Sequence, residues 1–208
     1  MIPELSLADM LTQFHSTYGV AGDSDFPTVP TPELRTLRRD LLREEYDEYI
    51  IAQRDLDVIE VADALGDMAY IAAGSHRTWG IGLLWDRWEH PSSPAMAPDL
   101  NTRLYATDTI RTAVTAWELA SEACDPAAVG AALYRVILAV QITAQLWQIP
   151  MGPVLDEIHR SNMSKLFPPD ETNPDWHPKY RDDGKVLKGP KTFKPDLARV
   201  LREYAGAA

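Results

Sequence analysis

The residues most suited to chemistry are carboxylates. Arg43-Glu44-Glu45-Tyr46-Asp47-Glu48 places four acids in five positions. Glu45 and Glu48 are three apart and Glu44 and Glu48 four apart, spacings that bring side chains together on one helix face. Like charges so placed repel by roughly 0.2–0.5 kcal/mol per pair. A solvated acidic face tolerates that repulsion, whereas a metal site exploits it. The next stretch, Val58–Ile71, is more specific. Glu60, Asp63 and Asp67 sit at i, i+3 and i+7 along one line of an otherwise apolar segment. Buried carboxylates need partners. Either Arg38, Arg39 or Arg43 neutralises the row across a helix pair, or cations come from outside the chain. Oxygen-only ligands suit Mg²⁺, with Mn²⁺ as an alternative, because these hard ions retain waters and accept phosphate oxygens. Such a site lowers the pKa of a bound water, and a spare carboxylate, Glu44, is placed to act as its general base.

The elements that must position these acids are helical. Leu7, Met10, Leu11, Phe14 and Tyr18 give Leu5–Tyr18 one apolar face. Gly19–Pro30 reads as a loop. Thr31-Pro32-Glu33 is a helix start, with Thr as N-cap and Pro in the first turn, and the helix runs to about Arg54. Asp55 or Asp57 caps the next helix, which extends to about Trp79. Gly80–Asn101 is a proline-rich connector. Thr102–Cys124 and Pro126–Gln148 are two further helices, and a sixth ends near Lys165. From Phe167 an extended tail is expected, closed by a short helix near Pro195–Tyr204. No strand pattern of useful length is present. The fold class is therefore all-α, a helical bundle with an extended C-terminal tail. Tyr70–Leu84 and Val140–Val154 echo each other, each an apolar helix leading into Trp-x-Ile or Trp-Gly-Ile.

Composition narrows the function further. The 208 residues carry a net charge of −11, which disfavours duplex nucleic acid as a partner. The balance is uneven: residues 1–158 hold 24 acids against 10 Lys/Arg, and residues 159–208 hold 10 Lys/Arg against 7 acids. Carboxylates to collect metal and a basic tail to collect phosphate are one reading of this split, and an ordinary acidic domain is the other. The single cysteine, Cys124, fits a reducing compartment. No signal peptide and no membrane span are expected, the most apolar run, Ala131–Trp147, being broken by Arg135 and Gln141, so a cytoplasmic location is expected. A Gly-rich loop ending in GK[ST], HExxH, an adjacent His-Asp pair and Gly-x-Ser-x-Gly are all absent.

Glu45-x-x-Glu48 followed by Glu60-x-x-Asp63 resembles the ExxE…ExxD signature of the all-α NTP pyrophosphatases. That superfamily includes MazG, dimeric dUTPases and phosphoribosyl-ATP pyrophosphohydrolase. Glu157-Ile158-His159-Arg160-Ser161-Asn162-Met163-Ser164-Lys165-Leu166, and the run from Tyr180 through Asp183-Gly184-Lys185-Val186-Leu187-Lys188 to Gly189-Pro190, resemble a C-terminal module of MazG-like proteins. The resemblance covers about residues 5–80 and 150–197. It implies a single MazG-like domain over 1–208, with Mg²⁺ on Glu45, Glu48, Glu60 and Asp63 and with Glu44 activating the attacking water. It further implies substrate contacts from Asn162, Lys165, Lys185 and Lys188. The implied reaction cleaves a nucleoside triphosphate between the α and β phosphates, in a homodimer or dimer of dimers. The segment 81–149 is expected as a two-helix insertion and 167–208 as a basic tail. Specificities like those of phosphoribosyl-ATP, dUTP or dCTP hydrolases are alternatives, as is a non-catalytic helical interaction module.

Other residues have a functional and a structural reading. Trp79, Trp85 and Trp88 could stack on a base but are expected in the core. His15 is expected as a partly buried helix residue. His159-Arg160 suits either phosphate or a helix end. Asp182-Asp183-Gly184 reads first as a tight turn.

Overall fold

A computed structural model describes residues 5–20, 26–83, 85, 88 and 91–207. The helices are α1 (Leu7–Tyr18), α2 (Pro32–Asp55), α3 (Val58–Thr78), α4 (Leu100–Glu122), α5 (Pro126–Leu146), α6 (Met151–Asn162) and α7 (Leu197–Ala207). Among the described residues there is no strand, only two isolated antiparallel bridges, Phe167–His177 and Tyr180–Val186. The all-α expectation holds. Residues 1–4 and 21–25, at the start of the chain and in the expected Gly19–Pro30 loop, lie outside the described residues.

Side-chain caps explain where the helices begin. Ser6 accepts from the amide of Asp9, Thr31 from Leu34, and Asp57 from Ile59 and Glu60. Asp99 accepts from Thr102, and Asp125 from Ala127 and Ala128. Each satisfies amides that the first helical turn leaves free. Of the two aspartates considered for α3, Asp57 is the cap. Leu56, at φ +60°, ends α2 before it.

α2 pairs with α3 and α4 with α5, and the two hairpins stack mainly through α3 and α5. α1, α6 and α7 also pack on α3. Buried Leu42, Tyr49, Leu65, Met68, Trp117, Leu133, Ile137 and Trp147 belong to one core. Trp79 is fully buried there too. Trp85 and Trp88 pack on each other, ring centroids 5.5 Å apart, and Trp85 also meets Tyr134 of α5. These tryptophans serve packing. His15 is buried as well.

α5 amends one expectation. By length and composition it could cross a membrane, with a mean hydropathy of 1.6 over its most apolar stretch. Arg135 and Gln141 do not lower the average enough to prevent this. Its Val129, Leu133, Val136, Ile137 and Val140 are all buried in the bundle, so its apolar character has a use inside the fold.

Leu56 offers a test of the α2–α3 turn. A branched side chain in the left-handed region costs on the order of 1 kcal/mol or more, and glycine removes that cost. Leu56 is half exposed, so little packing is lost. Leu56→Gly is expected to stabilise the protein by about 0.5–1 kcal/mol in urea unfolding; a loss of that size would show that the turn conformation is misassigned.

Candidate functional site

The acid row forms where the middle of α2 meets the first half of α3. Glu45 lies in the field of Asp67, Glu48, Glu44 and Asp63, and Asp67 in that of Asp63 and Glu48. Burial raises the carboxyl pKa of Glu45 and of Asp67 well above the usual range, and their acidic neighbours push the same way. Asp63 is pushed up to about 6, chiefly by burial and further by Glu60 and Glu48, with Lys194 and Lys188 opposing. Its Oδ1 is buried without a hydrogen-bond partner. The expected acids thus share one neighbourhood, and Asp67, present in the i, i+3, i+7 row, joins them. Among the described residues no three side chains already converge as a finished metal cage.

The arginines of α2 do not neutralise this row. Arg38 donates to Ser75 Oγ at 3.0 Å and Ile71 O at 2.6 Å. Arg39 reaches Glu122 at 3.4 Å, and Arg43 donates through Nε to Glu118 at 3.0 Å. All three are committed to helix packing.

Lysines from the C-terminal third face the acids instead. Lys185 Nζ is 2.8 Å from Glu44 and Lys194 Nζ is 2.7 Å from Glu60. Both pairs are solvent-exposed, with side-chain exposures of 33% and 51%, and 67% and 46%. Such pairs contribute only about 0–1 kcal/mol, so either can be exchanged for another partner. Lys165 is more deeply placed. Desolvation lowers its pKa, while Asp67 and Glu45 favour its charge and Lys188 and Lys185 oppose it. Lys188 also acts on Asp63 and Asp67. Three of these lysines were expected from the sequence. Lys194 was missed, and its only signal was its place in the basic run after Gly189-Pro190.

The frame that aims the lysines is specific. Tyr18, at the end of α1, donates its hydroxyl to Asn162 O at 2.9 Å and accepts the amide of Lys165 at 3.0 Å. Asn162 Oδ1 accepts from Lys165 Nζ at 2.6 Å, and the Asn162 side chain also hydrogen-bonds the Tyr70 hydroxyl. Tyr70 in turn meets His159 Nδ1 at 3.0 Å, and His159 Nε2 meets Gln13 Oε1 at 2.9 Å. His159 therefore stands behind the site. Arg160 is held by Glu157, with Nε 3.0 Å from Oε2, and stacks on Phe193, while Arg199 also pairs with Glu157. The expected turn at Asp182-Asp183-Gly184 is present: Gly184 takes φ +90°, and Asp183 accepts the amide of Lys185 at 3.1 Å. Gly189 donates to Lys165 O at 3.0 Å, and a Cβ there would stand 2.1 Å from Leu166 O. Only glycine lets the Lys185–Lys188 segment lie against residue 165.

Two outcomes follow from this geometry. The folded protein holds the Asp63 proton more tightly than the unfolded chain, whose value is near 3.8. Metal-free stability therefore falls as pH rises from that value through about 6, and the raised Glu45 and Asp67 extend the fall upward. Thermal melting against pH should show this slope, and Asp63→Asn should flatten its lower part; a melting temperature that rises through the window would contradict the burial of this group. Gly189→Ala should free the lysine segment without melting the bundle. Limited proteolysis should then cut between residues 179 and 193 faster at unchanged helical circular dichroism, and an unaltered cutting rate would refute the close-approach argument.

Comparison with known proteins concerns the same segment. Residues 11–87, which include α2, α3 and the whole acid row, match the family described as phosphoribosyl-ATP pyrophosphohydrolase. The chain is also 26% identical over 172 residues to a protein of Acanthamoeba polyphaga mimivirus described as uncharacterized protein L479, an alignment covering 74% of this chain and 68% of the viral one. Residues 11–87, with their helical fold and carboxylate pattern, are thus similar to a pyrophosphohydrolase domain of the MazG-like all-α kind.

Proposed function

We propose that the protein hydrolyses a nucleoside or deoxynucleoside triphosphate between its α and β phosphates, with Mg²⁺ held by Glu45, Glu48, Glu60 and Asp63. Asp67 supports that set from within the same row. The supporting observation is a carboxylate row half-buried at Glu45, Asp63 and Asp67, one oxygen of Asp63 lacking a partner, faced by lysines from another part of the chain. The donors are hard oxygens, which fit Mg²⁺ or Mn²⁺. When bound, the ion neutralises phosphate charge and acidifies a coordinated water.

The chain's own groups account for the remaining roles. Glu44 takes a proton from the attacking water. Water oxygen forms a bond to the α phosphorus, the bond from that phosphorus to the α,β-bridging oxygen breaks, and pyrophosphate leaves. Lys185 leaves Glu44 as substrate enters and binds a phosphate oxygen, so one movement both frees the base and adds positive charge. Lys188 and Lys165 meet the remaining phosphate charge, and Asn162 orients Lys165 through its 2.6 Å bond. Substrate thus replaces exposed lysine–carboxylate pairs with lysine–phosphate pairs, an exchange of like for like.

The matched family gives a second reading: a phosphoribosyl-ATP-like substrate, cleaved at the same bond. The phosphate chemistry is shared, and only the groups around the base and sugar differ.

A panel of nucleotides with Mg²⁺ tests the proposal. Pyrophosphate and monophosphate should appear, and oxygen from ¹⁸O-labelled water should enter the monophosphate. Glu48→Gln should slow turnover by on the order of 100-fold or more, because the ion contributes several kcal/mol to the transition state. Release of inorganic phosphate, or full activity in Glu48→Gln, would refute the mechanism.

A further inference from the structure

The echo around Trp79 and Trp147 extends over two whole hairpins, in a register of 68 residues. Thr31 and Asp99, the N-caps of α2 and α4, are in register. So are Leu56 and Cys124, at φ +60° and +56°, just beyond the ends of those helices. The following residue is Asp57 in one case and Asp125 in the other. Each caps the next helix through its side chain and donates its own amide back, to Ala52 O at 3.0 Å and to Ala120 O at 3.5 Å. α3 and α5 then both have 21 residues.

The far ends of α3 and α5 agree bond for bond. Trp79 donates to Ser75 O and Trp147 to Thr143 O, each at 3.0 Å. Gly80 and Gln148 both take the left-handed conformation, φ +63° and +55°. Ile81 then donates to His76 O at 2.9 Å, and Ile149 to Ala144 O at 2.8 Å. An extended segment crosses each tryptophan: Thr28 donates to Trp79 O at 2.9 Å, and Met96, also in register, donates to Trp147 O at 3.0 Å. General helix chemistry explains one Schellman-type ending. It does not explain matched endings, matched caps, matched left-handed residues and matched crossing segments at a single offset.

Burial follows the same register. Leu42 and Ile110, Tyr49 and Trp117, Val61 and Val129, Leu65 and Leu133, Met68 and Val136, and Trp79 and Trp147 are matched buried pairs. The chemistry does not repeat. At the positions of Glu44, Glu45, Glu48, Glu60, Asp63 and Asp67 the second hairpin has Thr112, Ala113, Ala116, Ala128, Ala131 and Arg135. All six acids are gone, and one has become a cation. Cover is lost with them. Buried Gly66 and Tyr70 lie on the α3 surface that meets α6, whereas their counterparts Tyr134 and Leu138 are 41% and 38% exposed.

We infer that α2–α3 and α4–α5 are two copies of one helical hairpin, and that the second copy serves as the built-in partner of the first. α5 supplies to the buried face of α3 what a second chain would otherwise have to supply. Each chain then has one metal and nucleotide site, on α2–α3, and none at the matched place on α4–α5. A homodimer is not required to complete the bundle. The number of sites rests on the metal reading proposed above; the repeat and the intrachain bundle do not.

Two measurements test this on the full chain. The first is urea unfolding over a wide range of protein concentration. A midpoint that does not move is expected for a bundle completed within one chain, and a midpoint that climbs with concentration overturns the inference. The second is Mn²⁺ binding followed by electron paramagnetic resonance, comparing wild type with Glu45→Gln/Glu48→Gln. The double substitution is expected to abolish all tight binding, and survival of half of it would reveal a second site and overturn the single-site claim. No tight Mn²⁺ binding by folded wild type would overturn the metal reading and its site count together, while the unfolding midpoint would still decide the intrachain bundle.

Discussion

The repulsion among half-buried carboxylates sets the terms for the rest of the structure. Glu45, Asp63 and Asp67 stand close on two adjoining helices beside exposed Glu48, and desolvation magnifies the effect on the three. A protein of ordinary stability, about 5–15 kcal/mol, can hold such a group only with opposing charge or bound protons nearby. The C-terminal third supplies positive charge through Lys165, Lys185, Lys188 and Lys194. The polarity seen along the chain, acidic before residue 158 and basic after it, is thus folded back on itself.

This charge arrangement explains the division of labour among the basic residues. Arginines on α2 make directed bonds to Ser75, Ile71, Glu118 and Glu122 and lock helix to helix. Lysines, with flexible stems and compact charges, face the acids. Guanidinium groups hold the scaffold, and the ammonium groups of Lys185 and Lys194 remain exchangeable. Residues whose motif position invites a catalytic reading turn out to brace others: His159 engages Tyr70 and Gln13, and Arg160 is tied to Glu157.

Much of this was legible in the sequence because it depends on local chemistry. Thr31-Pro32 and Asp57 announced helix starts, and the apolar spacing of α1 and the acid row of α3 followed helical periodicity. What could not be read depended on contacts distant in sequence. Nothing local places Lys194 beside Glu60, 134 residues away, or Tyr18 beside Lys165, 147 residues away. The short acidic signature also drew attention from Asp67, which continues the same helical line one turn further. The echo between Tyr70–Leu84 and Val140–Val154 stands two residues off the register in which the caps and turns repeat. The repeat's fidelity lies in caps and turn conformations, which different side chains can satisfy equally well.

The Tyr18 hydroxyl divides the positive charge into two mechanical classes. By binding the last turn of α6 and the amide just beyond it, that one oxygen fixes residue 165 to the body of the molecule. Residues 185 and 194 meet the acids only through pairs at the solvent boundary. On the proposed reading, an arriving polyanion would meet one anchored cation at depth and loosely tethered ones around the rim. The inner charge would set where the ligand stops, and the outer ones could travel with it.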